Sequence, residues 1–218
     1  MMLPTMHLKQ TLKTFDEPSD SRYKMFNDGG VEVEVGEFLY SLVRMIKPTV
    51  ILETGTHHGI SAAYMGMALR DNATSGLLTT LEFLPENYKI ANDLFALLEL
   101  KGGYVNSILV DAADYRTSTQ LDLVFLDTEP QTRFAELLKF YDNVKPGGFI
   151  LIHDLHPHLH QIPNEEHGFA WPYGKLPSEI INLVKQDLLR VVHFRTPRGL
   201  TMFYKPGDED YDFTTAGQ

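Results

Sequence analysis

The residues best suited to chemistry lie in Glu53-Thr54-Gly55-Thr56-His57-His58-Gly59-Ile60-Ser61, which follows the apolar run Val50-Ile51-Leu52. A continuous apolar run reads as a strand buried on both faces. Glycine lets the backbone turn sharply and lets a ligand approach it closely. The N–H groups that open a helix attract an anionic group. Gly55 and Gly59 therefore suggest a nucleotide-type cofactor turn between a strand and a helix. His57 stands where a dinucleotide fingerprint has its middle glycine. A pyrophosphate fits that turn less well than a carboxylate, such as the methionine end of S-adenosylmethionine. The alternative is a tight strand-to-helix turn with no ligand.

Two more acids extend this constellation. Glu82 closes Leu78-Thr79-Thr80-Leu81-Glu82, where a carboxylate can accept hydrogen bonds from two ribose hydroxyls. Asp111 follows the next strand pattern and is placed either to reach an adenine amino group or to cap the following turn. A second constellation gathers Asp127 and Asp154 at the ends of two strand patterns, Leu121–Leu126 and Gly148–His153. Adjacent strands would bring the two acids together. Paired oxygen ligands suit Mg²⁺ or another hard divalent cation. His153, His156, His158, His160 and His167 crowd the same region. A site of His153, Asp154 and His156 would resemble the two-histidine, one-carboxylate arrangement of iron oxygenases. His156 is also a candidate general base beside Asp127 and Asp154. A solvated, histidine-rich loop is the plainer reading of His158 and His160. Phe169, Trp171 and Tyr173 suit either a substrate wall or a pin that holds the loop to the core.

The elements that must position these residues alternate. Strands are expected at Thr49–Glu53, Leu77–Glu82, Tyr104–Val110, Leu121–Leu126 and Gly148–His153. Helices are expected at Gly59–Leu69, Pro85–Leu100, Ala112–Thr117 and Gln131–Asn143, with Lys145-Pro146-Gly147-Gly148 stopping the last. Phe38, Leu39, Leu42, Val43 and Ile46 recur at helical spacing within an amphipathic helix over Glu34–Lys47 that ends before Pro48. After the long stretch Asp154–Gly174 come a helix, Ser178–Asp187, and two strands, Leu189–Arg195 and Leu200–Lys205, around Thr196-Pro197-Arg198-Gly199. The pattern predicts an α/β fold: a Rossmann-like, doubly wound, mostly parallel sheet with a C-terminal antiparallel hairpin. Residues 1–30 read as an N-terminal arm with a short helix near Ser19 to Phe26. Residues 31–218 read as a single domain.

Bulk properties narrow the function. The 218 residues carry a net charge of −10, which argues against a dedicated nucleic-acid binder. Zero cysteines exclude a disulfide framework and cysteine-ligated metals. No run approaches the ~18 apolar residues of a membrane span, and the first ten residues hold no signal-peptide core. A cytoplasmic protein acting on a small molecule is the expectation. The amphipathic helix and the arm are the surfaces on which a homodimer would form.

Taken in order, these motifs resemble the class I S-adenosylmethionine-dependent methyltransferases, most closely their O-methyltransferase branch of catechol, caffeoyl-CoA and macrocin type. The resemblance spans about Glu34 to Lys205. Glu53 to Ser61 is similar to that branch's E-x-G-x-x-x-G-x-S, in which the serine, here Ser61, holds the cofactor carboxylate. Thr80-Leu81-Glu82-Phe83-Leu84-Pro85-Glu86 resembles the ribose-binding motif. Asp122-Leu123-Val124-Phe125-Leu126-Asp127 and Ile152-His153-Asp154 resemble the motifs that carry two metal aspartates. The resemblance implies a cofactor site of Glu53, Gly55, Thr56, His57, Gly59, Ser61, Glu82, Asp111, Ala112 and Asp127, and a metal site of Asp127, His153 and Asp154. It implies O-methylation of a small-molecule hydroxyl, with Asp154–Gly174 and the arm closing over the acceptor. Two positions depart from the pattern: Pro130 replaces the catalytic lysine of the catechol type, and Leu155 replaces its third ligand, an asparagine. Glu129, His153 or His156 would then have to complete a metal site. The departures keep two rivals in view, a metal-dependent hydroxylase-like enzyme using His153, Asp154 and His156, and a non-catalytic cofactor-binding module.

Overall fold

The computed structural model describes residues 3–73, 75–155 and 176–207. His156, His158, His160, His167, Phe169, Trp171 and Tyr173 lie outside the described residues. The sequence opens with a short helix α1 (Pro4–Leu8) and a two-stranded hairpin, β1 (Phe15–Glu17) and β2 (Asp20–Met25), then α2 (Val33–Ile46). The alternating part comprises β3 (Val50–Thr54), α3 (Ile60–Asn72), β4 (Leu77–Glu82), α4 (Pro85–Leu97), β5 (Val105–Leu109), β6 (Leu121–Leu126), α5 (Arg133–Phe140) and β7 (Val144–His153). It closes with α6 (Ser178–Lys185), β8 (Arg190–Phe194) and β9 (Leu200–Tyr204).

The seven-stranded sheet runs β5-β4-β3-β6-β7-β9-β8. Its first five strands are parallel, and β9 pairs antiparallel with both β7 and β8, as the alternation and the terminal hairpin pattern predict. Because β3 lies between β4 and β6, the winding reverses beside it. Ligands of open α/β sheets bind outside the carboxyl ends of the strands at such a reversal.

Neighbouring residues along each strand serve opposite cores. Ile51, Leu123, Phe125 and Leu151 join α2, α3 and α4, whereas Leu52, Val124, Leu126 and Ile150 join α5 and α6. Helix α3 is buried from Ile60 through Leu69, which explains its run of small residues. A β-carbon at Gly66 would come within 2.6 Å of Val105. The first core also takes in Leu8 and Phe26, so the amino-terminal segment covers the same face of the sheet.

Two expected helices are absent. Ser19 to Phe26 is mostly strand: the Glu17 carboxylate accepts the Ser19 and Asp20 N–H groups, both at 2.8 Å, and this tightens a hairpin turn after Pro18. Ala112–Asp114 is a turn, and Tyr115–Thr117 follow it without regular structure. Lys139 Nζ takes the carbonyls of Ala112 and Ala113 at 2.5 and 3.0 Å, and Arg116 takes that of Ala113 as well. Those carbonyls are the ones a helix would need. Helix α5 also starts later than expected and ends in a 3₁₀ turn, Tyr141–Asn143. No helix among the described residues is long and apolar enough to cross a membrane.

Candidate functional site

The turn after β3 is built by its neighbours. Gly55 has φ +82, and a β-carbon there would lie 2.3 Å from the Asp127 carbonyl oxygen. The absent side chain therefore makes room for the backbone leaving β6. Gly59, also at φ +82, begins α3 with Phe95 and Ala91 against it. The N–H groups of Gly55 and Thr56 both go to the Leu81 carbonyl, at 3.0 and 3.1 Å. That of His57 goes to Glu82 Oε2 at 2.7 Å. Glu82 also accepts the Phe83 and Leu84 N–H groups, at 3.1 and 2.9 Å. The carboxylate at the end of β4 and the glycine turn at the end of β3 thus form one hydrogen-bonded unit.

Glu53 lies behind this unit, fully buried. It accepts Ser61 Oγ at 2.5 Å and also accepts Thr80 Oγ1. Burial pushes its pKa up to about 8, the Ser61 and Thr80 hydrogen bonds oppose that, and the charges of Asp127 and Glu82 add to it. At neutral pH it is a protonated acid that joins β3, β4 and α3. Asp111 is exposed and accepts the Ala113 N–H at 2.7 Å, as an acid capping a turn does; Ala112 beside it is buried.

Asp127, His153 and Asp154 converge on the carboxyl ends of β6 and β7, with ligand-type atoms within 4.8 Å of one another. Glu129, Leu155 and Pro130 contribute nothing to that group. Its immediate neighbours are cationic. Arg133 NH2 lies 3.1 Å from Asp127 Oδ1 and 3.2 Å from Asp154 Oδ2. Arg198 NH2 donates to Asp154 Oδ2 at 2.7 Å, and its Nε lies 2.7 Å from Oδ1. His153 spans two carboxylates, with Nδ1 3.1 Å from Asp127 and Nε2 2.7 Å from Glu32. Burial disfavours a charge on His153, but Asp154, Asp127 and the hydrogen bonds to Asp127 and Glu32 outweigh it and push its pKa up to about 10. Burial also works against the ionised Asp154, yet His153, Arg198 and Arg133 hold it well below the usual carboxylate range. Three carboxylates (Glu32, Asp127 and Asp154) therefore face three cations (His153, Arg133 and Arg198).

This set does not fit a divalent ion. An imidazolium with both nitrogens on carboxylates has no lone pair to give. The one poorly satisfied acid atom, Asp154 Oδ1, faces Arg198 Nε and lies 3.4 Å from His153 Nδ1. A dication there would lie among two guanidinium groups, whose like charge opposes it.

The amino-terminal segment covers the turn. Asn27 Nδ2 lies 3.1 Å from His57 Nδ1, and His57 stacks on His58 with centroids 4.1 Å apart. Burial and His58 lower the His57 pKa to about 4, so the ring is neutral. Arg198 NH1 takes the Gly30 carbonyl at 2.6 Å, and its backbone N–H takes Glu32 at 3.2 Å. The cavity bounded by Asn27, Gly29, Gly55, His57, Ser61 and Asp127 is about 20 Å³, room for about one water. A larger cavity, about 370 Å³, lies between β2, α2 and the terminal hairpin beside Phe38 and Phe194. The smaller one holds the residues with chemistry.

Glu32, Arg133 and Arg198 were not among the residues singled out from sequence. Arg133 is a buried base in the first turn of the helix after Asp127, six residues beyond it, and that position was the available signal. Glu32 and Arg198 are 166 residues apart and carry no local signal.

Residues 52–155 match a family described as a methyltransferase domain. The ordered motifs read from the sequence fall in this matched stretch, and the expected Rossmann-like fold with its terminal hairpin is the one observed. The matched stretch begins within β3 and ends just past β7, and so contains Glu53, Glu82, Asp127 and Asp154. A protein of Mycobacterium sp. (strain JLS) named "Putative O-methyltransferase" is 29% identical over 132 residues, covering 57% of this chain and 57% of that protein. The chain thus spans little more than half the length of that curated relative. Podospora anserina methyltransferase PaMTH1, solved bound to S-adenosylhomocysteine, superposes with TM-score 0.68 at 18% identity over 93% of this chain and 94% of that one. The O-methyltransferase TomG of Streptomyces achromogenes, in complex with S-adenosylmethionine, gives TM-score 0.66 at 19% identity over 84% of each chain.

Proposed function

We propose that this chain is an S-adenosylmethionine-dependent methyltransferase acting on a hydroxyl of a small molecule. The observation that carries this is the union of the Gly55 turn with Glu82 at the winding reversal, in a methyltransferase domain, with Asp127 beside the turn. PaMTH1 and TomG, bound to the product and substrate forms of that cofactor, support the same reading. The hydroxylase-like alternative is not favoured, because His153 is committed to carboxylates and the relatives are methyltransferases.

Bound S-adenosylmethionine supplies an electrophilic methyl group on a sulfonium. Glu82 accepts the ribose hydroxyls with the acceptor capacity its three backbone contacts leave free. The first turn of α3, and Ser61 if it rotates away from Glu53, would hold the carboxylate. Thr56, His57 and Gly59 would wall this end, and Asp127 would hold the ammonium group. Asp111 and Ala112 would border the adenine. Asp127 and Asp154, held in place by Arg133 and Arg198, would orient the acceptor hydroxyl. In-line transfer draws much of its acceleration from such positioning. His156, outside the described residues, is the candidate to take the acceptor's proton.

The test is transfer of an isotopically labelled methyl group from S-adenosylmethionine to a panel of phenols, catechols and aliphatic alcohols. The expected product carries the label on oxygen. Label found on nitrogen or carbon, or none found while the cofactor binds, would refute O-methylation.

A further inference from the structure

The cluster at the ends of β6 and β7 holds as many cations as acids, and its cations come from three separate parts of the chain. Arg133 leads α5, Arg198 sits in the hairpin turn before β9, and His153 ends β7. Arg133 is additionally held by two carbonyls. Its Nε donates to the Thr128 oxygen at 2.7 Å, and its NH1 donates to the His153 oxygen. Arg133 is almost wholly withdrawn from solvent, with a side-chain exposure of 5%, and Arg198 is partly withdrawn, at 18%. These are built-in groups, since a buried guanidinium is held by fixed acceptors on several sides.

We propose that the guanidinium groups of Arg133 and Arg198 stand in the place of a divalent cation at the Asp127–Asp154 pair, so that the chain positions its acceptor without a metal. Arg198 is the positioning residue that a metal would not replace. It grips Asp154 through two nitrogens and at the same time takes the Gly30 carbonyl at 2.6 Å and, through its backbone, Glu32. The segment over the glycine turn is thereby tied to the acid pair, and closing that segment sets the geometry of the acids. A metal ion would fill the charge requirement but would leave the segment without its anchor. The proposal rests on the methyltransferase reading for the reaction it serves, but the absence of metal affinity is independent of it.

Manganese titration of the full chain, followed by the electron paramagnetic resonance of free Mn²⁺, tests it. Wild type should leave Mn²⁺ free into the millimolar range, with a melting temperature the ion does not change. Arg198→Met, and Arg133→Leu with Arg198→Met, should gain Mn²⁺ affinity by about tenfold or more as the acids are released. One equivalent bound to wild type at micromolar Mn²⁺ and lost in Asp154→Asn would overturn the proposal, as would folded arginine variants that gain no affinity. If a variant does not fold, the wild-type titration still decides. Calorimetry with S-adenosylhomocysteine in the presence of a chelator separates the two readings. Failure to bind it would sink the methyltransferase reading and leave the Mn²⁺ result standing on its own.

Discussion

At the scale of single residues, Gly55 and Glu53 do different work from what their motif suggests. Gly55 is required by the Asp127 backbone, 2.3 Å from where its β-carbon would be, and by φ +82. Gly102, at φ +78 with open space around it, carries only the second penalty. Gly55→Ala should therefore lose clearly more stability than Gly102→Ala, with the conformational part near 1 kcal/mol in both. Chemical denaturation of the two variants measures the difference, and equal losses would contradict the crowding. Glu53 has its pKa raised to about 8 in the folded chain. Its native form holds a proton that the unfolded chain releases near 4.5. Its contribution is thus complete below about 4.5 and is lost as pH rises through about 8. His153, raised to about 10 from 6.5, extends the same loss further into alkali. Melting temperature should fall between neutral pH and pH 9, and Glu53→Gln should flatten the part below about 8. A Gln variant with an unchanged slope would remove Glu53 from the explanation.

At the scale of elements, the closure formed by the segment between β2 and α2 is the main feature that local patterns did not reveal. Strands β3 to β7 are legible because alternating core-facing residues and glycine or proline stops are local. The local pattern suggests a short helix where β2 runs, because the hairpin turn before it depends on the Glu17 side chain reaching Ser19 and Asp20. The turn at Ala112 was read as a helix because Lys139, from α5, takes its carbonyls. Both depend on contacts a linear pattern does not contain. The Asn27–His57 contact at 3.1 Å and the Arg198–Gly30 bond hold the segment over a cavity large enough for about one water. A ligand of cofactor size enters only if that segment opens, as lids over active sites do. Asn27→Ala should speed association of S-adenosylhomocysteine several-fold, which stopped-flow fluorescence or surface plasmon resonance would record. An association rate equal to that of wild type would show that the segment does not gate entry.

For the whole molecule, the account joins two halves of one sheet edge. Between β3 and β4 lies a turn and an acid suited to S-adenosylmethionine; between β6 and β7 lie acids locked by arginines and by a histidine bridged to Glu32. The first half was legible in the sequence because Gly55, Gly59, Ser61 and Glu82 fall within thirty residues in a motif order that matches the methyltransferase domain. The second half was legible only in its acids and His153. Their partners Glu32 and Arg198 lie far away along the chain, and they replace the expected cation chemistry with ion pairs. Glu82 connects the halves, since it holds the His57 N–H and so fixes the turn against which Asp127 lies. Removing it should weaken the cofactor site about tenfold or more, the loss expected when a charged hydrogen-bond acceptor is withdrawn from a buried polar ligand. The most direct measurement is isothermal titration calorimetry of S-adenosylmethionine and S-adenosylhomocysteine against wild type and Glu82→Ala, each first shown to be folded. The account predicts binding of one molecule per chain to wild type and a loss of about tenfold or more in the variant. No binding to wild type, or equal affinity in both, would contradict it.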